Sequence, residues 1–321
     1  MRRLANAVDV SYENLGRPMP AADDRQTLLL SVDFEDWHQL VRRRVGAANW
    51  REPGPALARQ TSALLGLLDE LGVKATFFVL GMAARAHPEL VGRIAGRGHE
   101  IACHGDAHLP VHSQTRAEFA ADVRAAVETI ERLTGRRPLG YRAPAFSIDD
   151  RCAWAHEVLA EEGFAYDASE HDSPRLRAPS PGGAAPREAG APYRLELGSS
   201  RGELWELPVA VWRVRNRRVP VGGPSYWGTM PTALVLRGLR AVGPMGGLYS
   251  HPYEFDPGAL RPMLPGDSAA SARLHGALRA AQRNVARLRA PRVLRAIAGR
   301  YRLIPYGEAH ARLSGGTAAR P

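Results

Sequence analysis

Cysteine is almost missing from this chain: Cys103 and Cys152 are the only two in 321 residues. Two thiols cannot build a disulfide framework, and they fit a reducing compartment or indifference to redox state. Lysine is scarcer still, because Lys74 is the single non-arginine among 43 basic side chains. No apolar run approaches the roughly 20 residues that cross a bilayer as a helix. The opening Met1–Gly16 stretch has no signal-peptide core. These absences argue against an integral membrane protein and against classical secretion, and the expected location is the cytoplasm. No internal repeat is present, which removes solenoids and propellers.

What is there is ordinary globular material. With 45% hydrophobic and 24% charged residues, a chain of this length forms one large domain or two smaller ones and needs no staples to fold. The net charge of +10 invites a nucleic-acid reading. The arginines are scattered, however, with clusters at 42–44, 213–218 and 273–302, and no nucleic-acid motif accompanies them. They read as solvated basic faces, with weak peripheral contact to an anionic membrane surface as the alternative and no nucleic acid as a partner.

Along the chain, residues 1–26 are polar and aperiodic, the pattern of a flexible arm. From Thr27 short apolar strands alternate with helical periodicities: Thr27–Asp33, a helix over Leu57–Leu71 stopping at Gly72, a strand over Ala75–Leu80, a helix near Pro88–Gly96, a strand over His99–His104, and a helix from about Arg116 to Leu133. Gly140–Arg142, a helix over Arg151–Glu162, Leu204–Val209 and Gly247–His251 continue the series. This alternation predicts βαβ units and a mostly parallel sheet, open or closed. Residues 172–202 are rich in Pro, Gly, Ser and Arg and read as an irregular insertion in a catalytic domain spanning 27–257. Residues 258–312 read as an Arg-rich helical extension packed on that domain, and 313–321 as a tail.

Polar residues gather where the strands end, the edge at which parallel α/β folds place their active sites. Asp33-Phe-Glu35-Asp36-Trp37 puts three acids in four residues, a mutual repulsion that a solvated helix cap or a cation would relieve. His104-Gly-Asp-Ala-His108 has the spacing that places two imidazoles on one face of a helical turn, within reach of a single zinc. A carboxylate from the first cluster would complete a His/His/acid site with room for water. Arg142-Ala-Pro144 suggests a guanidinium oriented by a fixed turn. His251, directly after a strand, suits proton transfer. Cys103 neighbours His104, but period-2 alternation turns it to the opposite face, where it packs as core.

Taken in order, these motifs resemble the polysaccharide deacetylases of carbohydrate esterase family 4, with the NodB homology domain. Asp33-x-Glu-Asp-Trp37, His99-Glu-Ile-Ala-Cys-His104, Arg142-Ala-Pro-Ala-Phe-Ser-Ile148, Val221-Gly-Gly223 with Tyr226-Trp227, and His251-Pro-Tyr-Glu-Phe-Asp-Pro257 are similar to the branch that accompanies exopolysaccharide and exosortase systems. The resemblance covers roughly residues 27–310. It implies a distorted (β/α)7-type barrel with a helical C-terminal extension, and removal of N-acetyl groups from an acetylated amino-sugar glycan. It implies Asp33 as catalytic base, His251 as general acid, and Arg142, partnered by Asp167, orienting the base. The metal would be divalent, zinc first and cobalt or nickel next, on His104, His108 and one of Glu35 or Asp36. Most relatives have two adjacent aspartates where Phe34 follows Asp33 here, so the choice between Glu35 and Asp36 stays open. The oxyanion would be met by a backbone N–H after Pro144, that of Ala145. Position 171 is His where relatives often carry Trp, so the apolar wall of the acetyl pocket falls to Trp37, Phe146 or Trp227. Competing readings are a cyclic amide or ureide hydrolase on the same fold and an inactive carbohydrate-binding scaffold. The second sits poorly with a base, an acid and metal ligands together. Oligomeric state is not written in the sequence.

Overall fold

The structure, a computed structural model, describes residues 24–171, 191–197 and 203–315. Its strands are β1 (Thr27–Phe34), β2 (Thr76–Val79), β3 (Glu100–Cys103), β4 (Gly140–Tyr141), β5 (Tyr166–Asp167), β6 (Tyr193–Arg194), β7 (Trp205–Glu206), β8 (Val211–Val214), β9 (Arg217–Pro220), β10 (Gly247–Ser250) and β11 (Arg302–Ile304). The helices are α1 (Trp37–Arg44), α2 (Leu57–Leu71), α3 (Gly81–Ala86), α4 (Pro88–Gly96), α5 (Arg116–Thr134), α6 (Trp154–Glu161), α7 (Pro224–Trp227), α8 (Thr232–Ala241), α9 (Ala270–Arg287), α10 (Ala290–Ala298) and α11 (Tyr306–Leu313).

Nine strands form one sheet in the order β10-β1-β2-β3-β4-β5-β7-β6, with β11 added beside β1. Every pairing in it is parallel except β6 with β7. The sheet curls into an incomplete barrel, the architecture expected from the alternation of strands and helices. β1 is apolar at five of its eight positions and buried from Leu28 onward, as a strand covered on both faces requires. Its even positions Leu28, Leu30, Val32 and Phe34 enter the layer between sheet and helices. Leu29 turns the other way, onto Phe78, Tyr166, Leu207 and Tyr306 inside the curl. This two-residue alternation carries Ser31 and Asp33 to the inner face, where the site lies.

Local signals account for the helix ends. Thr115 and Glu118 form a reciprocal capping box at the start of α5, and Gly72 and Gly135 close α2 and α5 in the left-handed conformation with φ of 63° and 70°. Among the described residues no helix is long and apolar enough to cross a membrane.

Two features depart from the sequence reading. The β8–β9 hairpin lies outside the main sheet and turns at Arg215, whose φ is 51°. With arginine rather than glycine in the turn, the sequence carries no hairpin signature there. The segment 258–312 contains the helices α9 and α10, but also β11, which enters the sheet. Leu29 pairs with Gly247 of β10 on one edge and with Ile304 of β11 on the other. Of the insertion read over 172–202, only residues 191–197 belong to the described residues, and they contribute β6, paired to β7.

One buried residue makes the fold sensitive to acid. The His99 Nδ1 accepts the Ala75 N–H at 3.2 Å, and its ring tilts against Phe77 at 5.2 Å. Burial, reinforced by Lys74, pushes its pKa down to about 4. The unfolded chain therefore takes up this proton first as pH falls. The contribution to stability is whole above about pH 6.5 and is lost between there and about pH 4. The expected loss is at most about 3 kcal/mol, reduced by whatever solvent contact screens; urea unfolding across that window reads it, and His99→Gln should flatten the slope. An unchanged slope in His99→Gln would place the acid sensitivity elsewhere.

Candidate active site

Four segments deliver side chains to the inner edge of the sheet. β1 brings Asp33 and, one step past its end, Glu35. The loop after β3 brings His104 and His108, the turn after β4 brings Arg142, and the end of β10 brings His251.

The two histidines converge on Glu35, whose Oε2 lies 2.9 Å from the His108 Nε2 and 3.6 Å from the His104 Nε2. These three ligand atoms lie within 4.8 Å of one another. The His104 Nδ1 is 2.8 Å from the Arg142 carbonyl oxygen. A carbonyl only accepts, so Nδ1 carries the hydrogen and Nε2 presents its lone pair to the site. Burial opposes a charge on Glu35, but His108, then His104 and His251, hold its carboxyl well below the usual range.

The segment joining the histidines is not the helical turn that the i, i+4 spacing predicts. Gly105 has φ 75° and His108 φ 54°, so the chain reverses instead of coiling. The Asp122 carboxylate accepts the N–H groups of Asp106 and Ala107 at 2.8 and 3.1 Å. Arg43 donates to the carbonyls of Ala107 and His108 at 2.8 and 2.7 Å. A Cβ at Gly105 would stand 2.8 Å from the Asp122 Oδ2, a contact that only glycine avoids.

Asp36 leaves the cluster. It is the N-cap of α1, accepting the His38 N–H at 2.8 Å through one oxygen and the Gly54 N–H through the other. Of the two acids kept open above, Glu35 is therefore the one that faces the histidines.

Arg142 is fully buried. Its Nη1 donates to the Asp33 Oδ1 at 2.7 Å and to the Ser31 Oγ at 2.6 Å, its Nε to the Ala168 carbonyl at 3.0 Å, and its Nη2 to the Tyr306 hydroxyl at 3.0 Å. Asp167 makes no contact with it, contrary to the pairing expected from the resemblance. On β5 the inward positions are Tyr166 and Ala168, so alternation sends Asp167 to the opposite face, toward His156 of α6. Tyr306 stands beside the guanidinium instead, and the sequence offered no sign of it.

The His251 Nε2 lies 3.4 Å from the Glu35 Oε1 and 4.0 Å from the Asp33 Oδ2. Its Nδ1 is 3.2 Å from the Glu254 Oε2, which also accepts the His251 backbone N–H at 2.8 Å. Burial disfavours the imidazolium, yet Glu254, with Glu35 and Asp33, outweighs it and raises the pKa of His251. The role of Glu254 was missed, although its i, i+3 spacing from His251 was the signal. The ring of Tyr253 stacks on His251 at 4.9 Å.

The aromatic wall differs from the expected one. Phe146, half-buried, packs on Tyr249 and on His171, each at 5.0 Å, and His171 lies 6.4 Å from Tyr226. Trp227 is instead wholly buried in the helix–sheet layer, its Nε1 donating to the Val221 carbonyl at 2.8 Å. Trp37 packs with Val41, Tyr253 and Leu260, one layer behind His251. Ala145 is exposed in the turn beyond Pro144, with φ 54°.

Residues 52–164 match the family model described as polysaccharide deacetylase, and residues 180–290 match a domain of unknown function, DUF3473. The second match includes His251, Glu254 and the wall residues Tyr226 and Tyr249. A peptidoglycan-N-acetylglucosamine deacetylase of Bacillus cereus is 35% identical over 107 residues, 33% of this chain and 38% of that protein. A peptidoglycan deacetylase-like protein of Gibberella zeae is 30% identical over 162 residues, 49% of this chain and 47% of its own. This chain thus spans less than half the length of these two curated relatives. A solved structure from Mycobacterium smegmatis, assigned as a polysaccharide deacetylase, superposes with a TM-score of 0.59 at 22% identity over 99% of both chains. An allantoinase structure gives 0.53 at 16% identity over 98% of this chain and 100% of its own. Both likenesses speak to the fold. Over residues 52–164, about a third of the chain, this protein is thus similar to the polysaccharide deacetylases.

Proposed function

We propose that this protein is a metal-dependent hydrolase that removes N-acetyl groups from an amino-sugar glycan, either the polymer or its oligosaccharide precursor, in exopolysaccharide synthesis. The observation that carries this reading is the convergence of Glu35, His104 and His108 between Asp33 and His251. Two imidazoles and one carboxylate form a donor set suited to zinc, with cobalt or nickel as substitutes, and leave positions open for water and substrate. When bound, such a cation supplies Lewis acidity to water and to the acetyl carbonyl.

The protein's own groups account for the rest of the chemistry. Asp33 has one oxygen held by Arg142 and turns the other toward the cleft, where it is placed to accept the proton of the attacking water. Arg142 positions that base. The Ala145 N–H, in its left-handed turn, is offered to the oxyanion. His251, whose charged form Glu254 favours, donates to the departing sugar amine. Phe146, Tyr249 and His171 form the side against which the acetyl methyl packs.

The deciding experiment measures zinc content and acetate release from N-acetylated oligosaccharides. In His104→Ala acetate release should fall to background, together with the loss of one equivalent of zinc. Full zinc content in that variant would remove the assignment.

A further inference from the structure

A second cluster lies on the outer face of the sheet, beneath α6. Asp167 of β5 and Glu206 of β7 are direct partners in parallel register, so their carboxylates leave neighbouring strands on one side. His156 of α6 meets them there. The imidazole and the two carboxylates present donor atoms within 4.8 Å of one another, and the His156 Nε2 stands 3.3 Å from the Asp167 Oδ2. Donors held at about 2.0–2.2 Å around one zinc stand roughly 3–3.5 Å apart.

Among the described residues, His156 is the one side chain beside this cluster that could carry a positive charge. Asp167 is fully buried. Its Oδ1 accepts the Ser169 hydroxyl at 2.6 Å, while its Oδ2 has no hydrogen-bond donor and points into the cluster. Glu206, also buried, accepts the Glu170 N–H at 2.9 Å. Among the described residues no arginine or lysine pairs with either carboxylate. Two adjacent carboxylates away from water require a shared proton or a cation. Burial, then Asp167 and Glu170, pushes the Glu206 carboxyl well above its usual range, so the bare site calls for one of the two. Beside it opens a cavity of about 120 Å³ lined in part by His156, Ser169, Glu170 and Glu206 and, on the side of the acetyl wall, by Phe146 and His171, enough for water to complete a coordination shell.

We propose that His156, Asp167 and Glu206 bind a second divalent cation of the zinc class, outside the catalytic cleft. The ion would link α6 to β5 and β7. Through Asp167 it would also fix Ser169, whose Oγ accepts the Ala143 N–H at 2.8 Å, and so steady the turn that carries Arg142 and Ala145.

The test is the zinc content of the purified full-length chain after dialysis with zinc and then with a weak chelator. Two equivalents are expected in the unaltered protein and one in Glu206→Gln, with Asp167→Asn as a second variant should either fold poorly. The remaining equivalent should survive in Glu206→Gln and vanish on adding His104→Ala. Zinc should also raise the melting temperature of His104→Ala but not of the double variant. Unchanged zinc content in both Glu206→Gln and Asp167→Asn overturns the proposal and assigns the pair a shared proton. A single equivalent lost in His104→Ala and kept in Glu206→Gln also overturns it. The reverse pattern would uphold this site and remove the zinc reading of the Glu35 cluster, so the two ideas fail separately.

Discussion

Asp33→Asn should keep the cleft zinc and lose about 10²–10⁴-fold in kcat, the range spanned by removal of a positioned general base. Asn preserves the shape of the side chain, and the three donors that meet one another at Glu35, His104 and His108 are untouched. What disappears is the acid held by Arg142. The variant will also be less stable, because a buried guanidinium loses its counter-charge at a cost of about 3–5 kcal/mol. Its hydrogen bonds to Ser31, Ala168 and Tyr306 remain to hold it. Zinc content, circular dichroism and single-turnover acetate release on the same preparation separate these effects. Loss of zinc with recovery of turnover on adding zinc would mean that Asp33 is a ligand and Glu35 the base.

His251→Ala should lower kcat by about 10²–10⁴-fold on an N-acetyl sugar and leave substrate binding nearly unchanged. An amine leaves poorly unless it is protonated, and His251 is the imidazole that Glu254 biases toward the charged form. An activated aryl acetate has a leaving group that needs no proton, so the same variant should hydrolyse it at close to the unaltered rate. Equal losses on amide and ester would show that His251 orients something else. Glu254→Gln should reproduce a weaker version of the amide defect, since it removes the bias but not the ring.

Much of this cleft was legible because its residues sit at strand ends, where local sequence and topology agree. The apolar run before Asp33, the His104/His108 spacing and the strand before His251 each placed a chemical group at one edge of a parallel sheet. What could not be read was the direction of side chains beyond the strands. Glu35 and Asp36 are adjacent, and only the capping of α1, with Gly54 approaching from a distant loop, turns Asp36 away. The partner of Arg142 was misassigned because Asp167 follows Tyr166 in a two-residue strand, too short for its alternation to be phased from sequence. The helical picture of the histidine segment failed for a different reason. Asp122, far along α5, satisfies that segment's N–H groups and removes the need for a helix. Tyr306 and β11 had no signal, since three residues of strand carry no periodicity.

The cleft draws on residues from nearly the full length of the described chain, and this fixes when it comes into being during synthesis. Asp33 emerges from the ribosome before Arg142, and both precede β11, which pairs with the start of β1, and Tyr306, which bonds to Arg142. Until then β1 has one edge only partly covered, and the buried guanidinium lacks its phenol partner. A nascent chain that already contains both histidines and Glu35 therefore still has an unfinished sheet, and the support that reaches Asp33 through Arg142 is completed only after β11 and Tyr306 have joined.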